Sequence, residues 1–399
     1  NASFISEVEN LSYVQEASLE KATLMNSKIQ HCMDNMYSVF RGKCPRVILK
    51  FKPNMYFSFN MYDEIISSSN FSIYYLGYLS DNNEDFNVLQ LSDIHMSVMD
   101  DAKTHYKFIK KTIDEAKSIL EKQGRNLHLI VITGDVFTFA DKNTVRELCD
   151  FFEAQNTPWT LTFGNHDEQG YFSIDWLTSY LTSLSERDGT NLLFKDLPND
   201  DVFGSANFVI NLPMYFKDGH FMRSRQIIML DSNRYNYGQY YGYDSIHADQ
   251  IDWYTRVAQY AFTLEEAAPE EFNKSGGNDH TSLAFFHIPV PEYLDAYNDA
   301  KAGDKHSEFL TGKSYVYNNG WPEIPADETR NVHNDTSEGS PKINTGFFET
   351  ARHTIDITAG DDIGSYTKGM FVGHAHTNTN CMDYRPADLD DDEDNKKDN

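Results

Sequence analysis

From residue 86 onward, short apolar runs alternate with amphipathic stretches, and most runs end abruptly in a turn of small and polar residues. The runs at 88–91, 127–133, 159–163, 208–211, 227–231, 283–286 and 369–372 are of strand length and rich in β-branched and aromatic residues. They predict buried strands. The apolar spacing at about 103–122, 142–153, 174–185 and 247–262 predicts helices. Strand, loop and helix in repetition define an α/β fold. The polar stretches 264–281 and 300–340 are expected to be insertions or solvent-facing loops.

The first 85 residues read differently. Residues 3–40 are polar, with scattered apolar positions at Leu19, Leu24, Met25 and Ile29, and predict helix. Beyond them Val47-Ile48-Leu49, Tyr56-Phe57-Ser58-Phe59 and Phe71-Ser72-Ile73-Tyr74-Tyr75 are β-type runs split by Pro53 and by polar residues. The acidic, Asn-rich stretch 81–85 is the expected boundary. This gives an accessory segment 1–85, a main domain 86–384 and a solvated acidic tail 385–399.

Composition narrows the function. A formal charge of −27 disfavours sequence-independent nucleic acid binding. It leaves room for a phosphorylated substrate, because bound divalent cations reverse the field locally. No apolar run approaches the ~20 residues of a membrane-spanning helix. The chain begins with Asn, as a processed or truncated chain does, and sequons at Asn10, Asn70, Asn273 and Asn334 lean toward a secreted or extracytoplasmic location. Cys32, Cys44, Cys149 and Cys381 match no zinc-finger or redox spacing. Cys32 and Cys44 are close enough in sequence to pair in an oxidising compartment, and free thiols fit equally well.

The chemistry lies where the strands end. Asp93-Ile94-His95, Gly134-Asp135, Gly164-Asn165-His166-Asp167, His287 and Gly373-His374-Ala375-His376 bring oxygen and imidazole donors to the carboxyl ends of predicted strands. That is the usual place for an active site in an α/β sheet. The set is large enough for two divalent metal ions and suits metal-assisted hydrolysis, with an Asp in a tight Gly-Asp turn as a candidate bridge. Singly, each histidine would be structural and each Asp or Asn a turn or cap residue; the ordered series is what carries the metal reading. Arg234 is a weaker candidate for a phosphate contact, and the tyrosines of 235–243 could line a pocket or merely pack.

The ordered series resembles the calcineurin-like metallophosphoesterase superfamily over roughly 86–384. The wider context, including 230–232, 250–253, 284–293 and 344–348, resembles its purple-acid-phosphatase-like branch, in the group of plant type-29 and fungal Dcr2-like phosphatases. The resemblance implies a two-sheet β-sandwich flanked by helices (αββα). It implies that Asp93, His95, Asp135 and His376 bind one metal, and that Asp135, Asn165, His287 and His374 bind a second, with Asp135 bridging. His166 would contact the phosphate and assist the leaving group, while Asp167 would orient His166 or a ligand. One position departs from the coloured phosphatases: Thr138 stands where they carry a ligating tyrosine. The metals could thus be Mn, Zn or Fe.

The expected activity is hydrolysis of a phosphomonoester, on a small molecule or a phosphoprotein, by attack of a metal-bound hydroxide. Two other readings stand beside it. One is a phosphodiesterase of the same superfamily acting on a lipid headgroup or nucleotide. The other is a metal-stabilised binding scaffold with little turnover.

Overall fold

The computed structural model describes residues 14–21, 45–51, 73–75, 86–99, 101–196, 202–215, 221–236, 242–266, 281–312, 317–318, 321–322, 341, 343–353, 366–376 and 380–386. The chain divides into two units. One comprises residues 1–71 and 235–242, the other residues 72–234 and 243–399.

In the first unit, β1 (Val14–Lys21) pairs antiparallel with β2 (Pro45–Phe51). This corrects the helix expected across 3–40, at least for residues 14–21. The register sets Ala17 opposite Leu49 and Leu19 opposite Val47, with a shift between Val14 and Glu16. The rest of 3–40, the run at 56–59, Cys32, Cys44 and all four sequons lie outside the described residues.

Two sheets form the bulk of the second unit. The first is parallel throughout, with β4 (Val88–Leu91), β5 (Leu129–Thr133) and β6 (Trp159–Thr162) side by side in that order. The second is mixed. From one edge to the other it runs β11 (Thr367–Phe371), β9 (Thr281–Phe285), β8 (Phe221–Met229), β7 (Phe208–Tyr215) and β3 (Ile73–Tyr75). Residues 73–75 therefore join this sheet rather than the N-terminal segment, and the unit takes in chain that the 81–85 boundary would have excluded. The cause is pairing: a β-rich run satisfies its backbone by adding in parallel to β7.

Helices complete the layers. In α1 (Ala102–Glu121), Ile109 and Ile113 are buried; in α2 (Lys142–Glu153), Val145, Leu148, Cys149 and Phe152; in α3 (Ile174–Ser185), Leu177, Leu181 and Leu184. The i, i+4 spacing puts each set on one face. Asp141 and Ser173 cap α2 and α3 by accepting from the first free backbone N–H groups. α4 (Ala248–Glu266) lies close to its expected limits. One apolar cluster includes Ile130 and Leu161 of the first sheet with Ile210, Ile227 and Phe285 of the second. The sheets are two halves of one sandwich core.

Other elements escaped the pattern. They are α5 (Glu292–Ala302), β10 (Ser307–Gly312), α6 (Phe347–Arg352) and β12 (Asn380–Tyr384). β10 pairs antiparallel with β12, so part of 300–340 is a strand rather than a loop. Its partner is some 70 residues away, and no local periodicity announces such a pairing. Within the described residues no helix is long and apolar enough to cross a membrane.

Candidate metal centre

Strand register gathers the site. Leu91 stands beside Ile132 and Thr133 beside Thr162, so β4, β5 and β6 end together and release Asp93, Asp135 and Asn165 side by side. In the second sheet Phe285 is level with both Met229 and Phe371, which brings the residues after them, including Ser232, His287 and His374, to the same end. The loops then run on as a ladder: Asp93 N–H donates to the Gly134 carbonyl, His95 to Asp135 and Met96 to Val136.

These loops turn sharply. Asp93, His95, Asp135 and His374 adopt left-handed backbone, with φ of 54°, 51°, 49° and 73°. Asp and His are among the residues that tolerate this region, but each costs energy that the surrounding hydrogen bonds must offset. Gly164 lets the next loop pass close: a β-carbon there would lie 2.7 Å from His287 Cδ2 and nearer still to the Asp135 carboxylate. Gly164→Ala is therefore expected to lower thermal stability by about 1–3 kcal/mol and to weaken metal retention. A melt and a metal assay on the same sample check this.

The seven residues expected as metal ligands lie together. Asp93, His95, Asp135 and His376 form one cluster able to hold a metal ion, and Asp135, His287 and His374 form another. Asp135 belongs to both. Its Oδ2 lies 3.1 Å from His287 Nε2, 3.8 Å from His95 Nε2 and 4.0 Å from His166 Nε2. That oxygen is buried, and no donor among the described residues meets it in hydrogen-bonding geometry. Oδ1 accepts the His166 backbone N–H at 2.7 Å. His376 Nε2 sits 3.2 Å from Asp93 Oδ1, and 3.0 Å from His95 Nε2. Asn165 Oδ1 is 3.2 Å from His287 Nε2.

Neighbours fix the rings. His287 Nδ1 donates to the Thr133 carbonyl at 2.8 Å, which turns Nε2 toward Asp135. Thr138, at the position of the absent tyrosine, places Oγ1 2.6 Å from His95 Nδ1 and so orients that ring. Ser232 Oγ accepts from the backbone N–H groups of His287 and Ile288. Tyr243 packs edge-on against His374 with ring centres 4.3 Å apart, so one of the loop tyrosines does line the centre.

His166 and Asp167 part company. Asp167 is fully buried and accepts from Phe137 N–H at 2.8 Å and Gly164 N–H at 2.7 Å. These bonds tie together the loops that carry Asp135 and Asn165, so of the two roles the resemblance implied the contacts run toward the ligand loops and not toward the His166 ring. The partner of His166 Nδ1 is Gln169 Oε1, at 2.7 Å. Gln169 was overlooked in the sequence, although it stands three residues after His166 and turn-mates at that spacing meet.

Burial and charge set the protonation. Burial works against a charged His287, but Asp135 and Asp93 outweigh it and raise its pKa to about 9. Burial and the neighbouring His287 push His374 down to about 4. The hydrogen bond to Asp93 raises His376. Burial and the Asp135 charge push Asp167 up to about 7. Between the ordinary 6.5 and about 9, the folded metal-free chain holds a proton on His287 that the unfolded chain has lost. This contribution to stability is full below 6.5 and is lost as pH rises through about 9. Metal must displace the same proton, so metal affinity is expected to rise across that window with proton release. Calorimetric titration with Mn2+ in buffers of different ionisation enthalpy measures both.

The donor set fits divalent cations. Carboxylates, an amide oxygen and imidazole nitrogens are the hard and borderline ligands such ions take. An orphaned, buried carboxylate oxygen ringed by imidazoles is what a shared cation site needs.

The chain belongs to the calcineurin-like phosphoesterase family, whose model matches residues 86–319. His374 and His376 lie beyond that stretch and reach the centre through the fold. Among curated relatives, the chain is 26% identical over 329 residues to a protein of Arabidopsis thaliana named "Probable inactive purple acid phosphatase 29". That match covers 77% of this chain and 71% of the plant protein. It is 27% identical over 239 residues to Phosphatase DCR2 of Saccharomyces cerevisiae, covering 55% of this chain and 37% of the yeast protein. An uncharacterized Schizosaccharomyces pombe protein is 24% identical over 235 residues, with 55% of this chain and 40% of its own length covered. The chain thus spans well under half of either yeast relative.

Proposed function

We propose that this chain is an active dinuclear-metal phosphomonoesterase. The observation that carries the reading is that both candidate metal clusters share Asp135, with His166 4.0 Å from its Oδ2 as a histidine outside either cluster. Asp93, His95, Asp135 and His376 would hold one ion, and Asp135, Asn165, His287 and His374 the other. When bound, such ions lower the pKa of water and neutralise phosphoryl oxygens.

The chain's own residues do the rest. Gln169 accepts from His166 Nδ1–H and aims Nε2 into the centre. In its protonated form Nε2–H donates to the departing oxygen, so that an alcohol leaves rather than an alkoxide. Asp167 is a positioning residue, holding the Asp135 and Asn165 loops in register through Phe137 and Gly164. Substrates would be phosphorylated small molecules or phosphoproteins.

Turnover of nitrophenyl phosphate against bis(nitrophenyl) phosphate, with Mn2+- or Zn2+-loaded protein, tests the reading. The monoester is expected to win in kcat/KM by about tenfold or more, roughly 1.4 kcal/mol of transition-state binding. A reversed preference would point to the phosphodiesterase reading. No cleavage of either by metal-replete protein would leave the scaffold.

A further inference from the structure

Arg234 stands apart from the metal clusters, yet the chain invests in placing it. It follows Asn233, whose left-handed backbone (φ 66°) is pinned from several sides. The Asn233 N–H donates to Asp231 Oδ1, and its side-chain amide donates to the Ser245 carbonyl and to Gln250 Oε1. Two residues earlier, Ser232 bonds the His287 backbone, so the same turn supports both the metal centre and Arg234. The Arg234 side chain is 17% exposed, and Nε lies 2.7 Å from Oε2 of Glu168, whose side chain is 52% exposed. Glu168 is two residues past His166 and adjoins Gln169, the partner of the His166 ring. Nε and Nη2 are both buried, and neither meets an acceptor among the described residues in hydrogen-bonding geometry.

A guanidinium presents a fork of N–H groups, and burying one without an acceptor carries a cost. The Glu168 carboxylate, half in water, pairs with the guanidinium by charge and leaves Nε and Nη2 without a well-aligned acceptor. An oxyanion reaching the centre can meet them in bidentate fashion. The chain as a whole carries −27, so a dianionic substrate approaches against the overall field and gains from a cation paired to the turn that follows the histidine.

We infer that Arg234 is a substrate-anion residue of this centre, held by Glu168 until an oxyanion of the substrate takes the place of that carboxylate. The inference rests on the phosphoesterase reading above and adds a specificity residue to it. The oxyanion is either the phosphoryl group itself or a second acidic group on the same substrate.

The test compares wild type with Arg234→Ala, Arg234→Lys and Glu168→Gln in metal-loaded full chain. Inorganic phosphate is the probe, by calorimetry and as an inhibitor of nitrophenyl phosphate hydrolysis, and metal content is counted throughout. Loss of a charge-assisted contact predicts phosphate binding about tenfold or more weaker in Arg234→Ala, with a partial return in Arg234→Lys. KM is expected to rise more than kcat falls. Glu168→Gln removes the competitor and should tighten phosphate. These opposite signs separate the proposal from a merely structural ion pair, which would lose stability from either side and move phosphate affinity with neither. If phosphate binding is unchanged but a phosphoserine peptide with a flanking Asp loses affinity in Arg234→Ala, the second acidic group is the source. Unchanged affinity for both ligands in Arg234→Ala overturns the inference. The calorimetric arm needs no turnover, so a wild type that hydrolyses nothing would sink the phosphatase reading while still deciding this one.

Discussion

Asp135→Asn is expected to lower kcat/KM on nitrophenyl phosphate by on the order of a thousandfold, about 4 kcal/mol of transition-state stabilisation, and to reduce bound metal below two ions per chain. The substitution is nearly isosteric and fully buried, so packing is retained. Its amide can keep the bond that Oδ1 accepts from His166 N–H. What it removes is the charge on Oδ2, toward which His95, His166 and His287 all point. It also frees His287 from the anion that raises its pKa, so burial then favours the neutral ring and the pH window of the metal-free protein should shrink. Metal analysis by mass spectrometry, with the melting temperature followed between pH 6.5 and 9, measures these effects. An Asp135→Asn protein that keeps full activity would remove the shared ligand from the account.

His166→Ala should behave differently. A general acid outside the metal clusters contributes roughly a hundred- to ten-thousandfold to rate. The loss should fall on kcat, with metal content unchanged, because His166 Nε2 stands 4.0 Å from Asp135 Oδ2 and belongs to neither cluster. The deficit should also shrink for leaving groups of low pKa, which depart without a proton. A plot of rate against leaving-group pKa for wild type and His166→Ala checks this. Equal deficits across the series would assign His166 to binding alone.

Much of this centre is legible in the amino-acid sequence. The ligand-bearing blocks sit at strand ends, and parallel strands of matched register must release them at one edge; β4, β5 and β6 do so. Long-range strand order is not legible, so nothing in the sequence adds Ile73–Tyr75 to the second sheet or sets β10 beside β12. The supporting contacts were hidden for a related reason. Thr138 was seen as a missing ligand, but its hydroxyl turns the His95 ring. Asp167, beside His166 in sequence, faces two backbone amides, because a short turn at Asp167–Gln169 carries Gln169 rather than Asp167 back to the ring. Adjacent residues on such a turn do not share a face.

The central claim is that the two clusters around Asp135 make a working hydrolytic centre, in a family where one relative carries the word inactive in its name. The most direct measurement titrates metal-stripped protein with Mn2+ or Zn2+ while following nitrophenyl phosphate hydrolysis and counting bound ions. Activity is expected to appear with metal and to saturate at two ions per chain. Two bound ions per chain with no hydrolysis of any phosphomonoester, or full hydrolysis by the stripped protein, would contradict it.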